Sequence, residues 1–464
     1  MRIRITPGSQ ISGLTRVPGD KSIAHRWLIL SSTARGRSRL RGLPGSLDVL
    51  STAECLAALV PKARPGLQAW TDVHRGRGPE LAKGRGFTWN LSHEKNPPAT
   101  STLDLELETE GRGALVKPAD ELGCGNSGTT IRLLCGLLAA APFTATLSGD
   151  ESLNRRPMER VAEPLRVMGA SVLTQEGRPP IQIEGSPSLS GVRWEQSVPS
   201  AQVKSAILLA GTAAAGRTTV VEPAATRDHT ERALAALGAP IERDGLEVSI
   251  HPFQHGGLEG EVPGDPSSAA FLLAAAALTR SRLRIEGVGL NPTRTGFVRV
   301  LQRMGVQVTT EVLEERLGEP VGTLEVVEGS ALVGTSVSAD EFPLLVDEVP
   351  VLAALAAHAS GQTVFRGAGE LRVKESDRLT AIIRGLAGLG GRAEIDGEDL
   401  VIPGGGLPGG LATSGGDHRM GMSFAIAALG ADGPCEIDGI EAANVSFPGF
   451  VTTLVALGAD IEET

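Results

Sequence analysis

The stretch Val17-Pro18-Gly19-Asp20-Lys21-Ser22 is repeated about half a chain later as Val262-Pro263-Gly264-Asp265-Pro266-Ser267. Each copy precedes a run of small and apolar residues, which is typical of a helix that begins after the aspartate. The first copy carries Lys21 and, one turn later, Arg26, whereas the second has no cation at these places. The repeat predicts a duplicated scaffold. The asymmetry predicts an anion site at the first helix start, where unpaired amides and the helix dipole favour negative charge.

A second repeat, Leu-x-x-(Leu/Met)-Gly, has the form of a helix ending on a left-handed glycine and is followed by strand-like alternation. It occurs at 165–170, 234–239, 301–306, 386–391 and 454–459, with a degenerate form at 56–59. A different, small-residue helix is predicted to start near each of Asp20, Asn126, Ser200, Asp265, Asp347 and Asp417. Six α/β units in 464 residues predict two domains of three units each. A doubly wound nucleotide-binding fold is the alternative that the hydrophobic pattern leaves open.

Composition narrows the classes of function. The chain has 41% hydrophobic residues, a formal charge of -10 and only four cysteines, without the spacing of metal ligands. The dispersed Lys and Arg argue against a nucleic-acid surface, and no apolar run predicts a signal peptide or a membrane span. We expect a globular cytoplasmic protein without bound metal. Residues 61–101, rich in Gly, Pro, Arg and Lys, predict a surface insertion with room for a local hairpin.

Ionisable side chains gather at the predicted helix starts. Ser22 and Arg26 share one helical face, and Lys374 and Arg378 share another, with Glu375 beside them. At each place a salt-bridged first turn on the surface is the structural alternative. Because the pattern recurs at several helix starts, we expect a common cleft to collect these groups.

Two further segments are ambiguous by themselves. The glycine-rich turn 123–130 could bring amides close to an anion, but it lacks the ending of a P-loop and the spacing of a dinucleotide fingerprint, so an ordinary capped turn fits equally well. Arg155-Arg156-Pro157 before a helix is similarly open. His229 is not assigned a catalytic role, because no serine or cysteine nucleophile motif accompanies it.

Taken in order, the motifs resemble those of the EPSP synthases, the 3-phosphoshikimate 1-carboxyvinyltransferases. The matching segments run over nearly the whole chain: Asp20-Lys21-Ser22-x-x-x-Arg26, Gly125-Asn126-Ser127-Gly128-Thr129, Arg156-Pro157-Met158, Ser200-Ala201-Gln202-x-Lys204-Ser205, Thr226-Arg227-Asp228-His229-Thr230, Arg372-Val373-Lys374-Glu375-Ser376-Asp377-Arg378 and Asp417-His418-Arg419. The resemblance implies an α/β (α+β) fold, a two-domain inside-out α/β barrel in which each domain contains three βαβαββ units. It implies a discontinuous first lobe of residues 1–20 and 262–464 and a second lobe of residues 21–261.

The resemblance implies an enzyme that moves the enolpyruvyl group of phosphoenolpyruvate to the 5-hydroxyl of shikimate 3-phosphate and releases phosphate. No metal or organic cofactor is expected, and the expected state is a monomer without nucleic-acid or membrane partners. The residues implied for shikimate 3-phosphate are Lys21, Ser22, Arg26, Ser200, Ala201, Gln202, Arg227, Asp347 and Lys374. Those implied for phosphoenolpyruvate are Lys21, Asn126, Gly128, Arg156, Gln202, Arg378 and Arg419.

The implied catalytic groups are Asp347, Glu375, Lys374 and Lys21. By resemblance, Asp347 accepts the proton of the hydroxyl, Glu375 protonates the methylene carbon, and a tetrahedral adduct follows. The two carboxylates would then need different proton affinities. Among cations, Asp347 should stay ionised, whereas the surroundings of Glu375 cannot be read from the sequence.

The chain departs from the family pattern in two places. Val445 stands before Ser-Phe-Pro where many members have a lysine, and the segment 61–101 has no counterpart that we can place. Because Gly128 leaves no side chain in the implied phosphoenolpyruvate pocket, we hypothesise that glyphosate, an anion of similar reach, can enter.

Two other functions remain open at this point. A UDP-N-acetylglucosamine enolpyruvyl transferase would share fold and donor, but usually has Lys-Asn in place of Lys21-Ser22 and a reactive loop cysteine. A catalytically silent binding protein would be expected to have lost one of the charged pairs.

Overall fold

The computed structural model describes residues 1–75, 104–327 and 331–464. The helices in these ranges are α1 (Lys21–Thr33), α2 (Leu47–Leu59), α3 (Arg64–His74), α4 (Gly128–Leu138), α5 (Glu151–Asn154), α6 (Glu159–Val167), α7 (Ala201–Gly211), α8 (His229–Ala236), α9 (Pro266–Leu278), α10 (Gly296–Arg303), α11 (Val349–Ala357), α12 (Arg378–Gly388), α13 (His418–Leu429) and α14 (Phe450–Ala456). The strands are β1 (Arg2–Thr6), β2 (Gly13–Thr15), β3 (Arg35–Arg41), β4 (Leu105–Glu110), β5 (Leu122–Gly123), β6 (Thr144–Ser148), β7 (Ser171–Gln175), β8 (Arg178–Glu184), β9 (Arg193–Glu195), β10 (Thr218–Val221), β11 (Ile241–Asp244), β12 (Glu247–Ile250), β13 (Glu259–Glu261), β14 (Leu283–Gly289), β15 (Val308–Arg316), β16 (Glu319–Val326), β17 (Ser336–Val337), β18 (Thr363–Phe365), β19 (Glu394–Asp396), β20 (Asp399–Ile402), β21 (Gly410–Thr413), β22 (Cys435–Asp438) and β23 (Asp460–Glu463).

The strands of the described residues form six small sheets, one for each predicted unit. Three contain strands from the two ends of the chain, in the orders β21-β22-β1-β23, β15-β16-β14-β2 and β17-β18-β20-β19. The other three come from the middle, in the orders β13-β3-β4, β5-β6-β8-β7 and β11-β12-β10-β9. Each mixes parallel and antiparallel pairs, which excludes the doubly wound alternative with its single, mostly parallel sheet.

The helices lie inside the sheets, around two separate hydrophobic cores. One core contains residues within 3–17 and 269–459, and the other contains residues within 23–262. Every residue of α13 and all but the last of α9 are buried, as expected for helices that are apolar on all faces. Small side chains make this possible because they allow neighbouring helices to pack closely. The predicted inside-out α/β architecture is confirmed.

The two copies of the repeated stretch lie side by side where the chain passes between the cores. Gly19 and Gly264 form an antiparallel bridge. The amide of Asp20 donates to the Pro263 carbonyl at 2.7 Å, and the amide of Asp265 donates to the Pro18 carbonyl at 2.8 Å. A Cβ on Gly19 would lie 2.1 Å from the Gly42 carbonyl oxygen, so only glycine permits this approach.

The predicted helix endings are also confirmed. The glycines that follow α6, α8, α10, α12 and α14 all have a positive φ, as a left-handed cap requires: Gly169, Gly238, Gly305, Gly390 and Gly458. Within the segment 61–101, helix α3 buries Leu67 and Trp70 and packs against α2, so its first part belongs to the core. Residues 76–101 of that segment lie outside the described residues.

Candidate active site

A cleft of about 390 Å³ lies between the two cores and is lined from both sides. Its cations are Lys21, Arg132, Arg156, Arg160, Arg227, Lys374 and Arg419. Its carboxylates are Asp48, Asp347, Glu370 and Glu375. The cleft therefore has an excess of positive charge, although the whole chain has a net negative charge. Such a local field favours the binding of small anions.

Three buried helices of the middle segment begin at this cleft. Asp20 caps α1 by accepting from the Ser22 and Ile23 amides, at 2.7 and 3.1 Å. Ser127 caps α4, and Ser200 caps α7 through the Val203 amide. Because each cap satisfies only part of the first turn, the remaining amides and the positive ends of three helices are available near one volume.

Asp347 lies at the centre of a group of cations. Its Oδ2 is 2.5 Å from Arg227 Nη2 and 3.6 Å from Arg419 Nη2, and its Oδ1 is 3.5 Å from Arg378 Nη1. Burial acts to raise the pKa of this carboxyl, but Arg419 and Arg227 outweigh it and hold the pKa well below its ordinary value. The ionised state expected from the sequence is therefore supported.

Glu375 is in a similar field. Its Oε2 is 2.5 Å from Arg378 Nη2. Burial acts to raise its pKa, but Arg378, His418 and Arg156 outweigh burial and hold the pKa well below its ordinary value. The cations around Asp347 and Glu375 thus favour the ionised form of both carboxyl groups.

Each of the two lysines in the cleft is held by a carboxylate. Lys21 Nζ is 2.8 Å from Asp48 Oδ2, and Lys374 Nζ is 3.3 Å from Glu370 Oε1. Asp48 lies in the first turn of α2, so a second helix of the middle segment fixes where Lys21 points. Ser152 Oγ donates to the Glu375 carbonyl at 3.1 Å and links the two sides of the cleft.

The glycine-rich turn 123–130 contributes residues to the wall of the cleft. Arg132, one turn after Gly128, donates to Gln202 Oε1 at 2.6 Å, and Gln202 Nε2 donates to Thr129 Oγ1 at 2.9 Å. A Cβ on Gly128 would lie 2.7 Å from Arg132 Nη1 and 3.3 Å from Arg156 Nη1. The glycine therefore keeps open the space between two guanidinium groups.

Most of the site residues predicted from the sequence line this cleft: Lys21, Ser22, Asn126, Gly128, Arg156, Ser200, Ala201, Gln202, Arg227, Asp347, Lys374, Glu375 and Arg419. Arg26 and Arg378 do not. Arg26 is buried behind the wall, where it donates to Thr230 Oγ1, Ser205 Oγ and the Ser22 carbonyl. Arg378 is fully buried and anchored by Asp417, with Nε to Oδ2 at 2.9 Å.

The sequence reasoning missed four charged residues of the cleft, Asp48, Arg132, Arg160 and Glu370. Arg132 carried a signal, because it stands one helical turn after Gly128 on the same face of α4. Asp48 carried none, since an acidic residue in a first helical turn is ordinary. Val445 is not among the residues that line the cleft. In the part of the chain that the structure describes, no group of three or more His, Cys, Asp or Glu could hold a metal ion.

The comparisons with known proteins agree over nearly the full length. The family model described as EPSP synthase (3-phosphoshikimate 1-carboxyvinyltransferase) matches residues 5–77 and 100–454. The chain belongs to the EPSP synthase family. The family model leaves residues 78–99 unmatched, which locates the inserted part of the segment 61–101.

Relatives in the EPSP synthase family include the 3-phosphoshikimate 1-carboxyvinyltransferase of Halorhodospira halophila, 44% identical over 463 residues that cover 99% of this chain and 96% of that protein. The Nitrosococcus oceani protein of the same name is 43% identical, with 99% and 97% covered. The EPSP synthase of Acinetobacter baumannii matches with a TM-score of 0.81 at 37% identity over all of both chains. The enolpyruvyl transferase NikO of Streptomyces tendae, with a TM-score of 0.72 at 20% identity, shares the fold.

Among the described residues, no helix is both long and apolar enough to cross a bilayer.

Proposed function

We propose that the cleft transfers the enolpyruvyl group of phosphoenolpyruvate to the 5-hydroxyl of shikimate 3-phosphate, giving 5-enolpyruvylshikimate 3-phosphate and phosphate. The observation that carries the proposal is the convergence of cations from both cores on one cleft in a chain of net charge -10. Both substrates are small polyanions, and arginine presents a planar fork that matches phosphate and carboxylate. Membership of the EPSP synthase family supports the same reaction.

We assign the two substrates to the two ends of this set of residues. Shikimate 3-phosphate is held by Ser22, Ser200, Ala201 and Arg227, with Arg26 supporting the first turn of α1 from behind. Phosphoenolpyruvate is held by residues around the glycine-rich turn and the opposite wall: Lys21, Asn126, Gly128, Arg156 and Arg419. Gln202 lies between the two groups and is oriented by Arg132. Arg378 acts through Asp347 and Glu375, both of which it contacts.

Asp347 is assigned as the base for the 5-hydroxyl, with Lys374 beside that oxygen. A carboxylate must be ionised to accept a proton, and the cations around Asp347 keep it so. The oxygen of the substrate then attacks the carbon that carries the phosphate, as the methylene carbon takes up a proton. Loss of a proton from the resulting methyl group and of phosphate from the tetrahedral adduct restores the double bond.

Glu375 is assigned as the acid for the methylene carbon, although it is ionised in the free cleft. The anionic groups of phosphoenolpyruvate would offset the field of Arg378, Arg156 and Lys21, and the pKa of Glu375 would rise on binding. Calorimetric titration of both substrates in buffers of different ionisation enthalpy tests this step. We expect net proton uptake in the native protein and less in Glu375→Gln; equal uptake in the two would remove Glu375 from this role.

We further propose the lobe boundaries given by the resemblance, 1–20 with 262–464 and 21–261; the membership of the two cores supports them except at Val262, which packs in the core of the second lobe. The cysteines are all unpaired and buried, which fits a reducing cytoplasm. Cofactor-free turnover by a monomer completes the proposal.

A phosphate-release assay with both substrates tests the function. Release that needs both phosphoenolpyruvate and shikimate 3-phosphate, and that appears with no added metal or cofactor, is expected. Turnover when UDP-N-acetylglucosamine replaces shikimate 3-phosphate would instead assign the other enolpyruvyl transfer. Absence of release in every combination would favour a catalytically silent binding protein.

A further inference from the structure

A second cavity, of about 310 Å³, lies within the lobe of residues 21–261 and shares no lining residue with the cleft. It is bounded by the ends of α1 and α7 and by the segment that follows β12. Its lining residues are Leu30, Thr33, Arg35, Gly111, Arg112, Thr212, Ala213, Leu234, Pro252, Phe253, Gln254 and His255. This size is at the lower end of the range for small-molecule pockets.

Arg112 is the unusual group of this cavity. Its Nη2 donates to the Leu209 carbonyl at 3.0 Å and to Thr212 Oγ1 at 2.7 Å, so half of the guanidinium caps the end of α7. Its Nη1 is buried and has no hydrogen-bond partner among the described residues. A buried cationic donor without a partner is destabilising and calls for an explanation, since most such groups in proteins are satisfied.

The ionisable residues that line the cavity with Arg112 are all basic. The described lining residues include Arg35 and His255 but no aspartate or glutamate. Burial alone lowers the pKa of Arg112 to about 10, whereas the buried Arg294 and Arg378 elsewhere in the chain are each held by carboxylates. An anion that entered the cavity would therefore meet attraction without a competing carboxylate.

Apolar residues make up about half of the rest of the wall, among them Ala213, Pro252 and Phe253. Leu30 and Leu234 are buried, and the ring of Phe253 stacks on that of His255 with 6.0 Å between centroids and 20° between planes. His255 Nδ1 donates to the Gly256 carbonyl at 2.9 Å, and Nε2 on the other side of the ring is 3.5 Å from Thr33 Oγ1. A ligand with a charged head and an apolar ring would match such a wall better than a fully hydrated ion would.

We propose that this cavity is a second ligand site, which binds a small anion with an apolar body, such as an aromatic carboxylate or an aryl phosphate. The head of the ligand pairs with Arg112 and Arg35, and its body packs against Ala213 and Phe253. The site is independent of the reaction proposed for the cleft. Helices α1 and α7 each begin at the cleft and end at this cavity, which places the two sites at opposite ends of the same helices.

Fluorine NMR titration of the full-length protein with 4-fluorobenzoate and with 4-fluorophenyl phosphate tests the proposal. We expect saturable binding of at least one probe, and the probe that binds identifies the head group. Arg112→Gln should weaken that binding about tenfold or more, because a charge-assisted pair is lost. Ala213→Phe, which fills the cavity but keeps Arg112, should weaken it similarly, and Arg112→Lys should restore part of it.

Two controls locate the binding. Arg384→Gln removes an exposed charge on α12, and Arg156→Gln removes a cleft charge; both should leave the probe affinity unchanged. Thermal melting identifies any variant that fails to fold, and if Arg112→Gln fails, Ala213→Phe decides. The proposal is overturned if neither probe binds, if the cavity variants bind as the native protein does, or if neutral 4-fluorobenzyl alcohol binds equally well.

Discussion

The two copies of the repeated stretch have the same backbone role and different chemical roles. Asp20 caps α1 and Asp265 caps α9, and Arg294 joins the two caps, with Nη1 2.5 Å from Asp20 and Nη2 2.8 Å from Asp265. After the caps the copies differ: Lys21 lines the cleft, whereas Pro266 is buried in the first turn of α9. Both copies thus form the structural junction, but only the first copy contributes a charged side chain to the cleft.

Because of this difference, residues that stabilise the protein and a residue that acts in the cleft are neighbours in the sequence. The aspartates, the glycines and Arg294 join the two lobes, and they are buried away from the cleft. Lys21 lies one residue further on but faces the cleft, where Asp48 holds it. Substitutions at the junction should therefore change the free energy of unfolding, and substitutions at Lys21 should change turnover.

The largest effect is expected at the junction. Arg294→Met leaves Asp20 and Asp265 buried without their partner, and breaking a buried ion pair in this way costs about 3–5 kcal/mol. Urea unfolding should show this loss, while Arg384→Met, an exposed arginine, should stay within about 0.5 kcal/mol of the native protein. A loss of less than about 1 kcal/mol for Arg294→Met would mean that the junction is not the stable element described above.

Lys21→Met should act mainly on turnover. Removing a cation that stabilises developing charge typically lowers kcat by about 100- to 1000-fold. Steady-state phosphate release measures this, with Pro266→Ala, the equivalent position of the second copy, as the matched variant expected to stay near native activity. Equal loss in both variants would show that the two copies share one structural role.

Asp20, the aspartate of the first copy, should also make the stability of the protein sensitive to acid. Burial acts to raise the pKa of Asp20, but Arg294 and then His229 outweigh it and lower the pKa from 3.8 to about 2. A lowered folded pKa stabilises the protein above the unfolded value, and this contribution is lost as pH falls from about 4 towards 2. It amounts to about 2 kcal/mol. Asp20→Asn should therefore flatten the fall of unfolding free energy between about pH 4 and pH 2; parallel curves would exclude Asp20 as a source of acid sensitivity.

The smallest expected effects come from alanine substitutions at two glycines, one at the junction and one in the cleft. Gly19→Ala would meet the Gly42 carbonyl and should cost about 1–3 kcal/mol of stability. Gly128→Ala meets the ends of the Arg132 and Arg156 side chains, which can shift, so stability should change less. Its methyl group should instead weaken glyphosate inhibition by about tenfold. Inhibition that is unchanged in Gly128→Ala would place glyphosate outside this part of the cleft.

Local signals in the sequence predicted the framework well. Asp20, Ser200 and Asp417 are helix caps, and the terminal glycines such as Gly169 have the left-handed φ that the repeat implied. These features depend on a few neighbouring residues, so they can be read without knowing the fold. The motifs that supported the resemblance lie at the same places, which is why most of the predicted site residues line one cleft.

The sequence could not predict what depends on tertiary contacts. Arg26 and Arg378 sit in motifs, but the packing of α1 and α12 turns their side chains into the protein. Asp48 enters the site because α2 packs beside α1. The field that keeps Glu375 ionised comes chiefly from Arg378 and Arg156, which are far apart along the chain.

The most direct measurement is the kcat/KM for phosphoenolpyruvate in two variants that remove one cation from each side of the cleft. Arg156 lies in the part of the chain that contributes the core within 23–262, and Arg419 lies in a part that contributes the other core. If anions are held jointly by both lobes, Arg156→Gln and Arg419→Gln should each lower kcat/KM by about 100-fold or more, with both proteins still folded. Native kcat/KM in either variant would show that a single lobe suffices, and the convergence of charge from two lobes would not be the basis of the reaction.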